Sequence, residues 1–193
     1  MSLDYKISYF EQIGNINVDE VIKNSISVAN ELGIKKIVAF SATKSSVLKL
    51  KNAIGDLDIQ LIVATYSCNR IFSKIDENGK QQSFVIELGS LEAKQELANQ
   101  GIPLIQGGIP LEPILSSTGD NATEMIVSSL NLISQGLTLC VNGAIMACEN
   151  GYADENEQII SMSGDTSIVC RTSYKRNLFR DTFKIERILC KPL

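Results

Sequence analysis

The chain has 193 residues, 44% hydrophobic and 21% charged, with 18 Lys and Arg against 22 Asp and Glu and a formal net charge of −4. This supports a real core over one domain spanning 1–193 and argues against disorder, while an acidic balance without a basic stripe argues against a duplex nucleic-acid binder. The absence of histidine and tryptophan excludes Ser-His-Asp and Cys-His nucleophile systems, histidine bases and histidine-bearing zinc sites.

In chain order, Lys6 to Phe10 is β-branched and aromatic and predicts a first strand. Asn17, three residues before Glu20, then predicts the start of a helix carrying Val21, Ile22, Ile26, Ala29 and Leu32 and stopped by Gly33. Lys36 to Phe40 is a nearly continuous apolar run, as in a parallel strand buried on both faces. A helix with Val47, Leu50 and Ile54 on one face follows, then a buried strand over Ile59 to Ala64. Strand, helix, strand, helix, strand is the pattern of an α/β fold with right-handed crossovers.

From Thr65 to Gly89 the pattern breaks; Asp76 to Gly79 is a turn signal, and its flanks read as a hairpin or a long excursion. Ser90 predicts the cap of a short helix ended by Gly101, and Pro103 to Ile105 a strand. Asp120 or Asn121 is expected to cap a helix with Ile126, Val127, Leu130 and Ile133, ended by Gly136. Thr138 to Asn150 fits a mostly buried helix better than a strand. Strands are expected around Ile159-Ile160, over Ile168 to Cys170 and over Phe183 to Leu189.

Cys68, Cys140, Cys148, Cys170 and Cys190 are scattered without a Cys-x-x-Cys pair, so reduced structural thiols are expected and no spacing favours a metal site. No apolar run approaches the ~20 residues of a membrane span. The first residues lack the charged-then-apolar order of a signal peptide, and a cytoplasmic protein is expected.

In an open parallel sheet, ligands bind beyond the carboxyl ends of the strands. The segment after the second predicted strand holds Ser41, Thr43, Lys44, Ser45 and Ser46 at a helix start. Hydroxyls, an ammonium and free amides there can all donate to a phosphate, although Ser and Thr also serve as ordinary caps. Ser163-Gly164-Asp165-Thr166-Ser167 offers a backbone-close approach with further donors, or a plain turn between two strands. Gly107 and Gly108 could admit a planar ring or a phosphate, or merely relieve a turn. Thr65, Tyr66, Cys68 and Arg70 follow another strand; Arg171, Lys175, Arg176 and Arg180 read as a solvated basic loop. Glu87, Glu112, Glu124 and Glu149 are isolated and form no acid–base pair.

Several landmarks together carry a resemblance: Tyr9-Phe10-Glu11 with Gly14, Glu31 to Ala39, Ser41 to Leu48, Thr65, Gln135-Gly136, Ala144 to Ala147 with Gly151, Gly164-Asp165-Thr166, Phe179-x-Asp181-Thr182 and Ile185-x-x-Ile188-Leu189-Cys190-Lys191-Pro192. In this order the chain resembles the stand-alone proteins similar to the pyruvate kinase C-terminal domain, found in archaea and some bacteria. The resemblance implies a three-layer α/β/α fold with a mostly parallel sheet and no pyruvate kinase activity (the catalytic barrel is absent); a homo-oligomer is expected as well. It also implies a phosphate-gripping loop at Ser41, Thr43 and Ser46, and flavin mononucleotide (FMN) or a sugar phosphate as ligand. The family pattern has glycine at Lys44, a Thr-His pair at Thr65-Tyr66, a longer glycine-rich turn before Asp165, glutamate at Asn142 and a histidine near Thr172-Ser173. These departures favour binding over catalysis. The alternatives are an enzyme whose flavin carries the chemistry, with Tyr66, Cys68 and Arg70 nearby, and a regulatory or assembly subunit.

Overall fold

A computed structural model describes residues 5–75, 80–113, 121–180 and 182–193. The expected turn at 76–79, the cap at Asp120 and the landmark Asp181 lie outside the described residues.

Strands β1 (Ser8–Phe10), β2 (Lys36–Phe40), β3 (Gln60–Thr65), β6 (Leu104–Gln106), β7 (Gln158–Met162), β8 (Ser167–Arg171) and β9 (Lys184–Pro192) form one sheet in the order β1-β9-β8-β7-β2-β3-β6. Only β8 runs against its neighbours; the other pairings are parallel. The reversal has a simple cause. Four residues, Ser163 to Thr166, join β7 to β8, too few for the crossover that a parallel pair needs. β4 (Ile71–Ile75) and β5 (Gln81–Val85) make a separate antiparallel pair, so of the two readings of this segment, hairpin or long excursion, the strands follow the first.

Helices cover both faces of the large sheet. On one lie α1 (Val18–Leu32), α2 (Lys44–Ile54) and α3 (Leu91–Asn99). Their buried residues Val21, Ala29, Val47, Leu50, Ala93 and Leu97 pack on Ile37, Ala39, Val63 and Ile160. On the other lie α4 (Asn121–Asn131) and α5 (Gln135–Glu149), where Leu137, Cys140 and Ala144 meet Val38, Phe40, Ile62 and Ile168. This is a three-layer α/β/α fold. The alternation of β2 and β3 side chains between the two cores explains why both strands read as continuous apolar runs.

α1 keeps its apolar face at Val18, Val21, Ile22, Ser25 and Ala29, closed by Gly33 in the left-handed conformation, while Leu32 lies at the surface. α5 is buried almost throughout, from Gly136 to Cys148. Two boundaries differ from expectation: α4 ends at Asn131, and Gly136 stands in the first turn of α5 behind its Ser134 cap. None of the described helices is long and apolar enough to cross a membrane.

Candidate functional site at the carboxyl ends of the strands

β2 and β7 lie side by side and parallel, with Ala39 opposite Met162. From β2 the chain continues through α2 to β3 on one side, while β7 is followed by β8 on the other. Such a switch point opens a crevice beyond the strand ends. The two loops singled out by sequence meet there: Ser41 and Ser46 line a cleft with Asn15, Met162, Ser163 and Gly164. The cavity is small, about 10 Å³, room for roughly one water molecule. Val18, Ala39, Phe40, Val47 and Leu50 complete its lining, and it encloses no ring.

The hydroxyls of the first loop are organised among themselves. Ser41 Oγ donates to the Thr43 carbonyl at 3.1 Å and accepts from the Thr43 amide at 3.2 Å. Thr43 Oγ1 and Ser46 Oγ are 3.0 Å apart. Ser45 faces solvent. Lys44 points away from the cleft partners, its ammonium paired with Glu96, whose carboxylate raises the Lys44 pKa. The first amide of α2, Lys44 N–H, donates to Glu87 Oε2 at 2.8 Å. An anion therefore already sits at this helix start, and it comes from the chain itself.

The second loop is a tightly bonded turn. Asp165 Oδ2 accepts from the Gly14 amide at 2.6 Å, and Asp165 Oδ1 accepts from Thr166 Oγ1 at 3.0 Å. Thr166 Oγ1 lies 2.6 Å from Ser134 Oγ, the α5 cap. Gly136 is required by close approach, and at Gly164 a side chain would have to push the exposed Asn15 side chain aside. A Cβ at Gly136 would lie 2.3 Å from Asp165 Oδ1, and one at Gly164 would lie 2.2 Å from Asn15 Oδ1. Asp165 and Thr166 do not line the cleft themselves; they fasten the Gly14–Asn15 turn and α5 to the end of β7, and so hold the lining residues Asn15, Ser163 and Gly164 in place.

Thr65, at the end of β3, is fully buried, and its Oγ1 has no hydrogen-bond partner. Gly107 and Gly108 follow β6 but do not line the cleft; the Gly107 carbonyl accepts from Ser67 Oγ at 2.9 Å. Space beside both glycines is open.

Beyond the loops stands an aromatic cluster. Tyr66 packs edge-on to Phe40 and Phe72, with centroids 5.2 and 4.9 Å away. The Arg70 guanidinium lies 5.6 Å from the Tyr66 ring and 5.2 Å from the Phe72 ring, and pairs with Glu112. Burial raises the Tyr66 pKa. Arg171 is engaged by Glu186, whereas Lys175, Arg176 and Arg180 are exposed, as a solvated basic loop requires. Cys68 is exposed, and the other four cysteines are buried free thiols. Burial pushes the Cys148 and Cys190 thiols up to about 11 and about 12, and raises those of Cys140 and Cys170 further from use as nucleophiles. Among the described residues no cluster of His, Cys, Asp or Glu could hold a metal ion.

Sequence reasoning missed several participants. Glu87 was expected to be isolated, yet it caps α2 across 43 positions of chain. Gln106 Nε2 donates to the Leu88 and Ser90 carbonyls, both at 2.9 Å. Asn142, buried, accepts from the Leu111 amide at 2.8 Å and so ties α5 to the loop after β6. No local pattern announces such long-range polar contacts. Gly14 entered the sequence reading only through the resemblance. No model of a known protein family matches the chain.

Proposed function

We propose that this chain is a non-catalytic binding protein for a phosphate-bearing small molecule, with FMN or a sugar phosphate as the expected ligand class. The observation that carries this reading is the meeting of the Ser41–Ser46 loop with Ser163-Gly164 at the β2/β7 switch point, directly at the start of α2. Ser41, Thr43 and Ser46 supply hydroxyl donors, and the helix dipole favours negative charge there. The donor set suits a phosphate held at the mouth of the cleft, which itself has room for roughly one water molecule. A flavin ring would lie outside the cleft, over the surrounding loops. The resemblance of the sequence landmarks to the stand-alone pyruvate kinase C-terminal-like proteins supports the same reading, and with it the absence of pyruvate kinase activity; self-association into a homo-oligomer is proposed alongside. Free buried thiols suit a reducing cytoplasm.

Isothermal titration with FMN and with a sugar bisphosphate tests the proposal. One of them should bind at micromolar level or tighter, on the order of −8 kcal/mol. Replacing Ser41, Thr43 and Ser46 together by Ala should weaken binding severely; undiminished affinity would sink the site. Native mass spectrometry of freshly purified protein reads the bound ligand and the oligomer together.

A further inference from the structure

We propose that Ile86–Ser90 is a strap that holds the α2 anion site closed, with the Glu87 carboxylate standing where a ligand phosphate would sit and the Thr65 hydroxyl sealed beneath. This rests on the phosphate-binding reading and adds what the phosphate has to displace.

The strap is fastened at several points. The Leu88 amide donates to the Ala42 carbonyl at 3.2 Å, and the Asn69 amide donates to the Gly89 carbonyl at 2.7 Å. Gln106 holds the Leu88 and Ser90 carbonyls from below at 2.9 Å. Leu88 itself is fully buried in the core shared by α2 and α3. Glu87 differs from its neighbour: its side chain is exposed, and its bond to the Lys44 amide is the contact that brings charge to the helix start. It can swing into water without emptying the core.

Thr65 supplies a second and independent sign. It pairs in register with Gln106. Strand alternation puts it on the same face as Leu61 and Val63, which is the face packed by Val47 and Leu50 of α2 and by Leu88 of the strap. Its hydroxyl is buried without a partner, an arrangement that folded proteins rarely keep without a use. A phosphate oxygen that replaces Glu87, with a shift of the strap backbone that leaves Leu88 in the core, gives that hydroxyl an acceptor. The two halves are linked: the carboxylate keeps the positive helix end neutralised, and the strap keeps the spare donor dry.

The test uses the full chain and inorganic phosphate as probe, with binding followed through the Lys44 and Ser45 amide resonances. Glu87→Gln keeps an acceptor for the Lys44 amide but removes the competing charge, and it should bind phosphate roughly three- to tenfold more tightly than the unaltered protein. Adding Thr65→Val, which matches the shape and lacks the hydroxyl, should cancel that gain. Glu87→Ala serves as a second variant, with circular dichroism confirming that α2 is retained. Phosphate binding that responds in the unaltered protein and is equal or weaker in Glu87→Gln overturns the strap alone. A gain that survives Thr65→Val overturns the sealed hydroxyl. No response to phosphate in any of these proteins overturns both the strap and the phosphate-binding reading.

Discussion

The Gly14 amide donates to Asp165 Oδ2 at 2.6 Å, joining positions 151 residues apart. This bond holds the turn before α1 against the end of β7, so one wall of the crevice depends on a single carboxylate. Asp165 accepts on its other oxygen from Thr166, and it is almost wholly buried. Asp165→Asn supplies one carbonyl oxygen where two acceptors were used and leaves a donor without a partner. The expected loss is about 2 kcal/mol, read by urea unfolding. A variant as stable as the parent would show that the bond contributes nothing net.

Gly136→Ala tests the same wall from the helix side. Alanine favours a helix over glycine by up to about 1 kcal/mol. Against that, the added Cβ would lie 2.3 Å from both Asp165 Oδ1 and Thr166 Oγ1, and 2.6 Å from Ser163 Oγ. Overpacking of this kind costs about 1–3 kcal/mol, and three bonded polar groups cannot all yield. A net destabilisation of about 2 kcal/mol is expected, together with altered resonances at Ser163 to Thr166. A stabilised variant would refute the close packing.

The buried thiols predict alkaline instability. In the fold, the Cys190 and Cys148 thiols keep their protons up to about 12 and about 11, against an ordinary value of 9.0. Above pH 9 the unfolded chain therefore binds fewer protons than the folded one. Stability is fully present below the unfolded value and is lost as pH rises toward the folded values. At pH 10 each such thiol withdraws about 1 kcal/mol. Urea unfolding at pH 8 and pH 10 should show the fall, and Cys190→Ala should reduce it. Equal stability at both pH values contradicts the expectation.

Phe72→Ala should loosen the hairpin alone. β4 and β5 form their own pair, and β5 is exposed throughout; an isolated two-stranded hairpin is marginal in water. Phe72 links it to Tyr66, to Phe84 (centroids 6.2 Å apart) and to Arg70. Losing these contacts should speed amide exchange in β4 and β5 by roughly tenfold, with β2, β3 and β7 unchanged. Uniform acceleration across the large sheet would mean that the hairpin is part of the main cooperative unit.

How much of this was legible in sequence follows from the range of each interaction. β2, with Ile37 to Phe40, declared itself because two-sided burial leaves an unbroken apolar run. The Ser41–Ser46 loop and the Ser163–Thr166 turn were both visible as polar, glycine- or hydroxyl-bearing breaks between such runs. Their convergence was not, because it depends on β7 inserting beside β2 after more than a hundred intervening residues. Gly136 was misread for a local reason: a glycine after an apolar helical period looks like a stop, and its actual constraint is Asp165, across the fold. Glu87 was passed over because an acidic residue in a polar stretch resembles any solvated one. Only the return of the chain after the hairpin gives it the Lys44 amide.

The pairing of β1 with β9 has a mechanical consequence. Ser8, Tyr9 and Phe10 run parallel to Cys190, Lys191 and Pro192 in neighbouring positions of the sheet. Tension applied at the start of β1 and at the end of β9 pulls these strands lengthwise past each other. Their evenly spaced, slanted hydrogen bonds then share the load together instead of parting one after another. Traction on the two ends of this chain meets a clasp loaded in shear.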